Sequence, residues 1–312
     1  MLLFLSCVAA LEPLTPLKIS EIAKLDISNF QETTQSQINA LISVGDDLYF
    51  PQALTFNLEN RLKKFPGVTA ALNPKVATPT FLKEARQEYL DNDHMIYVEN
   101  FFTAEAFDSI MAETRRLWAA GASEIEPNCN LNGRDRIGGF VQLHEHSLPS
   151  SLYSTIYANE ELFHFVSEIA SSGNRHFFPA DFPIELREYG PKSRGMPCHA
   201  DLQMYADPEG DLEIVITLTH EETSESQVKW FDKAGTEHSI RTSPNSITIV
   251  KPNAAVHCVS GTNGGSREIL KFILVSGYSK PNQFYDYASN TCDTTLGENR
   301  KAIDRKATRD EL

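Results

Sequence analysis

The rhythm of hydrophobic and polar positions changes along this chain near Phe140. Upstream, Gln31 to Leu41 and Phe81 to Leu90 carry polar and apolar residues at helical spacing, which predicts amphipathic helices. Between them Pro51, Pro66, Pro74 and Pro79 punctuate the chain. Met95-Ile96-Tyr97-Val98 reads as a strand, and a helix is expected from Ala104 to about Ala120, with Thr103 as its N-cap and Gly121 as its stop. From about Phe140 the pattern shortens to period two. Strands are expected near 138–144, 182–189, 198–205, 212–219, 226–232, 237–241, 246–250, 256–260 and 267–277. Asp232-Lys233-Ala234-Gly235 and Gly264-Gly265 read as turns. The tail after Tyr278 reads as polar and irregular up to its charged end. Many short strands at such spacing predict a sandwich or jelly roll, and the chain has no internal repeat.

Composition narrows the function classes. The 312 residues are 41% hydrophobic and 22% charged, an ordinary globular balance able to bury a substantial core. The formal net charge is −14 and the sequence pI about 5.1. This acidity opposes nucleic-acid binding, which depends on Lys and Arg against phosphate. No run after the first ten residues approaches the roughly 18 apolar residues of a membrane span. The start, Met1-Leu2-Leu3-Phe4-Leu5-Ser6-Cys7-Val8-Ala9-Ala10, resembles a secretory leader without the basic flank. The end, Arg309-Asp310-Glu311-Leu312, resembles an endoplasmic-reticulum retrieval signal. Together they predict a luminal protein, with the cytoplasm as the alternative.

The chemistry concentrates in four side chains. His199-Ala200-Asp201 is followed 56 residues later (257 − 201) by His257, and ten residues beyond that (267 − 257) by Arg267. On a strand His199 and Asp201 project from one face. With a third ligand from elsewhere, two imidazoles and one carboxylate form the facial triad of a non-haem Fe(II) site, leaving open positions for co-substrate and O₂. An HxD pair alone is weak, and zinc or cupin-type sites use the same residues; the distal His and the cation add the weight. Arg267, Ile269, Lys271 and Ile273 would share one strand face. A guanidinium there would grip a carboxylate through two parallel hydrogen bonds, as the distal carboxylate of 2-oxoglutarate requires. Lys271 is the rival cation, four residues deeper (271 − 267).

Over roughly residues 93–280 the chain resembles the prolyl 4-hydroxylase-like Fe(II)/2-oxoglutarate-dependent dioxygenases. The resemblance rests on Tyr97-Val98-Glu99-Asn100-Phe101-Phe102-Thr103, on Arg187-Glu188-Tyr189-Gly190 ahead of His199-Ala200-Asp201, and on His257-Cys258-Val259-Ser260-Gly261 through Gly265-Ser266-Arg267. It implies a mainly β, α+β fold: a double-stranded β-helix (jelly roll) core backed by N-terminal helices. It implies Fe(II) on His199, Asp201 and His257, with 2-oxoglutarate and O₂ as co-substrates and ascorbate as an accessory reductant. Arg267 takes the family's oxoglutarate cation position, where prolyl hydroxylases usually carry Lys. Tyr189 stands ten residues before His199 (199 − 189), one more than the spacing of the family tyrosine that reaches the co-substrate. The Trp common after the cation is replaced by Lys271-Phe272-Ile273. The retained Asp201 argues for an oxygenase over a halogenase.

The implied division is a leader at 1–16, a helical extension at 17–92, the dioxygenase domain at 93–282 and a polar tail at 283–312. Oxidative decarboxylation of 2-oxoglutarate would be coupled to hydroxylation of a prolyl or related residue in a peptide or protein. The alternatives are a small-molecule oxygenase acting on a free amino-acid derivative by hydroxylation, desaturation or cyclisation, and a non-catalytic jelly-roll binding module. Among the other residues, His144-Glu145-His146 reads as part of a substrate mouth or as exposed chain, and Arg134, Asp135 and Arg136 as a solvated loop. Lys192 and Arg194 read as facing solvent, and Trp230 as core. Cys198 and Cys258, each beside a proposed ligand, are expected to point away from the metal as small buried residues. Cys129 and Cys292 are candidates for pairing in an oxidising compartment.

Overall fold

The structure is a computed structural model that describes residues 71–128, 130–141, 152, 155–156, 159–175, 177–180, 182–205, 211–277 and 293–310. The expected leader, the expected helix at Gln31–Leu41, His144-Glu145-His146, and both Cys129 and Cys292 lie outside the described residues. The expected helices and strands that fall within them form. Helix α1 (Pro79–Asp91) is capped by the Thr78 hydroxyl, which accepts from the Phe81 N–H. Helix α2 (Ala104–Ala120) starts on the Thr103 hydroxyl, which accepts from Ala106 N–H at 3.3 Å, and stops at Gly121, whose φ of +64° suits a residue without Cβ. Two further helices, α3 (Glu160–Ser171) and α4 (Asp293–Asp310), are absent from the sequence reading. The second corrects the expectation of an irregular tail.

Among the described residues twelve strands build two facing sheets. The large one carries β1 (Met95–Val98), β2 (Ile125–Pro127), β3 (Ile137–Val141), β4 (Phe178–Pro179), β5 (Glu185–Tyr189), β7 (Asp211–His220), β10 (Ser246–Val250) and β12 (Arg267–Val275). Its order is β1-β10-β7-β12-β5-β3-β2, with β4 also on β12. The small one runs β6-β11-β8-β9, from β6 (Met196–His199), β11 (His257–Val259), β8 (Val228–Phe231) and β9 (Glu237–Ile240). These strands pair antiparallel. This mainly β jelly-roll arrangement with helices agrees with the expected fold class.

Period two sorts the large sheet into a dry face and a chemical one. Leu186, Ile214, Ile216, Ile247, Ile249, Leu270, Phe272 and Leu274 pack with residues of α1, α2 and α3 in one continuous core. The alternate positions turn to the small sheet, where Met95, Tyr189, Val250 and Ile269 meet Val228, Trp230 and Val259. Trp230 is core, as expected. The β8–β9 hairpin closes through Asp232, whose N–H donates to Thr236 O at 3.1 Å. Asp135, read as part of a solvated loop, is 5% exposed. Its carboxylate takes three bonds from the Arg194 guanidinium, fastening the 132–136 loop to the segment that leads into β6.

Candidate metal centre

His199 ends β6, Asp201 lies two residues on, and His257 opens β11. The antiparallel register sets His199 directly opposite His257. Asp201 falls just past the strand end, a shorter strand than the expected 198–205, but its carboxylate still meets both rings. Oδ1 is 3.3 Å from His199 Nε2, and Oδ2 is 3.3 Å from His257 Nε2. Its position is held by the backbone, since Asp201 O accepts from Asn253 N–H at 2.9 Å. One ligand atom from each of the three residues lies within 4.8 Å of the others.

The donor set can be tested for a metal from the outer ring nitrogens. His199 Nδ1 lies 2.9 Å from Pro197 O and His257 Nδ1 lies 3.2 Å from Ala255 O. A carbonyl can only accept, so each Nδ1 carries a proton, and in a neutral ring Nε2 keeps the lone pair a metal takes. Asp201, hydrogen-bonded to the His199 ring, raises the His199 pKa. Burial lowers the His257 pKa, favouring the neutral ring a metal needs. The Asp201 side chain is 11% exposed. Burial pulls its carboxyl upward, but the Lys271 ammonium and the His199 ring outweigh burial and keep it well below the usual range. These residues fit a divalent transition metal.

A cavity of about 500 Å³, part of it open to solvent, extends from Asp201 and His257 between the sheets. Its walls include Met95, Val215, Val228, Val250, Val259 and Ile269. Arg267, 2% exposed, also lines it, opposite Tyr189 in the β5–β12 register. Arg267 Nε donates to Thr242 Oγ1 at 3.0 Å, Nη2 lies 3.5 Å from Thr217 Oγ1, and the guanidinium sits 5.8 Å from the Tyr189 ring centre. No carboxylate among the described residues forms an ion pair with it. Burial accordingly lowers its pKa.

Lys271 stands nearer the triad on the same face of β12. Its Nζ is 2.5 Å from Glu213 Oε2 and 3.9 Å from Asp201 Oδ1. Burial lowers its pKa, but Glu213 and Asp201 together outweigh burial and hold the ammonium above its ordinary value. Burial pushes Glu213 up to about 8, against the pull of Lys271 and with the help of Asp201 on its other side. Arg187 is likewise matched, its Nη2 lying 2.7 Å from Glu185 Oε1 and its Nη1 3.3 Å from the Tyr189 hydroxyl. Glu213 and Glu185 were not singled out in the sequence. The signal available was a charge at an inward position of a strand otherwise buried on both faces, as in Asp211-Leu212-Glu213-Ile214-Val215-Ile216.

The expectation for the two cysteines needs correction. Cys198 and Cys258 form a disulfide with each other, and Cys198 is exposed while Cys258 is buried. In an antiparallel ladder, pairing His199 with His257 necessarily brings residue 198 opposite residue 258.

Among solved structures, SnoN, a non-haem α-ketoglutarate-dependent epimerase from nogalamycin biosynthesis, matches at 14% identity and a TM-score of 0.52, over 70% of this chain and 92% of that one. The same epimerase in complex with Fe³⁺, α-ketoglutarate and nogalamycin RO matches with a TM-score of 0.53 at 14% identity, with the same coverage of both chains. A Pseudomonas putida prolyl-4-hydroxylase matches over 68% of this chain and all (100%) of its own at 14% identity, with a TM-score of 0.44. No family model matches the chain, and no curated protein does. The likeness to SnoN is one of fold.

Proposed function

We propose that the chain is an Fe(II)- and 2-oxoglutarate-dependent dioxygenase. The observation that carries this reading is one cavity with two ends: a His-Asp-His cluster at one, and at the other a buried guanidinium with no ion-paired carboxylate among the described residues. An unpaired buried charge is costly and is retained where an anion completes it. His199, Asp201 and His257 would hold the metal, leaving the remaining positions to co-substrate and O₂. Arg267 would take the far carboxylate of 2-oxoglutarate, with Thr242 and Thr217 fixing the guanidinium and Tyr189 walling it. Lys271 serves the metal end, because Glu213 and Asp201 already claim its charge. When bound, Fe(II) supplies the oxidative decarboxylation of 2-oxoglutarate and the coupled C–H oxidation. The apolar walls exclude water from the co-substrate, and the two backbone-anchored imidazoles keep the ligand geometry fixed.

The substrate reading is a prolyl or related residue of a peptide or protein. A free amino-acid derivative is the second reading, favoured by Lys271-Phe272-Ile273 standing where the prolyl 4-hydroxylase-like family commonly carries a Trp. Succinate release and a one-oxygen mass gain, measured with proline-containing peptides and with free amino acids, separate the two. No iron-dependent turnover of oxoglutarate with any substrate would favour a binding module. We further infer the endoplasmic-reticulum lumen as the address. The leader-like start, the RDEL-like end and a disulfide support it. Removing the last four residues should divert the tagged protein to the medium.

A further inference from the structure

We infer that the Cys198–Cys258 disulfide is a positioning element of the metal centre, and that its reduction loosens the site. This rests on the metal-centre reading above. Cys198 immediately precedes one proposed ligand and Cys258 immediately follows the other. Strand β6 has four residues and lies at the edge of the small sheet, and β11, its partner there, has three. Their ladder pairs His257 with His199 and Val259 with Met196, with an irregularity in register between the two pairs. So short a ladder holds an edge strand weakly, and the disulfide fastens it at the irregular step. It also holds His199, whose ring is otherwise anchored through a carbonyl of its own strand, Pro197 O.

Access is one-sided. Cys198 is exposed, whereas Cys258 is 7% exposed. A dithiol would therefore attack Cys198 Sγ, and Cys258 would leave as a thiolate and take up a proton. The second thiol of the reductant then resolves the mixed disulfide, so that two electrons and two protons leave two cysteine thiols and one oxidised reductant. The metal ligands are unchanged by this step; only β6, which carries His199 and leads into Asp201, is freed. Loss of the groups that orient metal ligands typically weakens binding about 10- to 100-fold.

The test is Co(II) titration of the full chain by absorbance, as purified, after dithiol reduction and anaerobic desalting, after reoxidation, and in the C198S/C258S double variant. Peptide mapping under non-reducing conditions verifies the 198–258 link. Ile303→Ala, a core truncation in α4 away from the site, controls for lost stability. The expected result is Co(II) affinity at least about ten-fold weaker in the reduced and double-variant proteins, restored on reoxidation, with faster amide exchange in 196–205. I303A should lower Tm yet bind Co(II) like the wild type. Equal affinity of oxidised and reduced protein would overturn the inference, as would finding both cysteines free in the purified protein. If the double variant does not fold, the reduction and reoxidation cycle decides. Failure of the oxidised protein to bind Co(II) at all would instead bring down the metal-centre reading, and this inference with it.

Discussion

Arg267 and Lys306 are both buried cations attached to the same two strands, on opposite faces, and they are treated in opposite ways. On the helix side, Lys306 of α4 is 6% exposed and reaches both Glu268 and Glu188, with Glu188 Oε2 at 2.7 Å. These glutamates are direct partners in the β5–β12 register. The Lys306 ammonium also lies 4.7 Å from the Trp118 ring centre. One residue along each strand, on the cavity side, Arg267 faces Tyr189 and has hydroxyls but no ion-paired carboxylate among the described residues. A cation matched by two acids holds a structure together, whereas a cation left with hydroxyls awaits an anion from outside. Lys271 with Glu213 and Arg187 with Glu185 fall on the matched side of that division.

The largest expected effect is on the matched cation. Lys306→Met leaves two glutamates facing each other in a buried site, and should cost about 3–5 kcal/mol in chemical denaturation. A loss under 1 kcal/mol would mean that the cluster is not what docks α4. The pH profile sharpens this. Burial lowers the Lys306 pKa, but Glu268 and Glu188 together outweigh burial and raise it above 10.5. A folded value above the unfolded one means that its contribution is full below 10.5 and fades as pH rises through the raised value. Wild-type stability should therefore drop on that alkaline limb, and the drop should be smaller in K306M.

Helix α4 docks by a second, uncharged device that separates helix docking from charge matching. Asn299 is fully buried and donates from Nδ2 to Asn128 O at 3.0 Å and to Gly138 O at 2.6 Å. Asn299→Ala should lose about 1–3 kcal/mol, with no change in its alkaline limb. The smallest effect is expected on the unmatched side. Thr242→Val removes the hydroxyl that accepts from Arg267 Nε and should weaken oxoglutarate binding by about 0.5–1.5 kcal/mol, a few-fold, measured by calorimetry.

Much of this division was legible in the sequence, for unequal reasons. Strands β7, β10 and β12 announce themselves by period two, and the spacing of His199, Asp201, His257 and Arg267 survives translation into one cavity because a strand fixes which side chains share a face. Helix α4 was not legible as such. Its docking uses Asn299 and Lys306 with few apolar residues, so its sequence reads as a solvated tail. Helix α3 was readable, since Leu162, Phe163, Phe165, Val166 and Ile169 recur at helical spacing and are all buried, although the sequence reading places no element between the strands near 138–144 and 182–189. The disulfide illustrates a different limit. Alternation predicts that Cys198 and Cys258 turn away from the ligands, but only the cross-strand register reveals that the two can face each other.

The most direct test is anaerobic calorimetry of 2-oxoglutarate binding to the Fe(II)-loaded protein, wild type against Arg267→Gln. Removing one partner of a buried charge pair costs about 2–5 kcal/mol, so the variant should bind at least about 30-fold more weakly while keeping its metal and its Tm. Equal affinity in the two proteins would contradict the account.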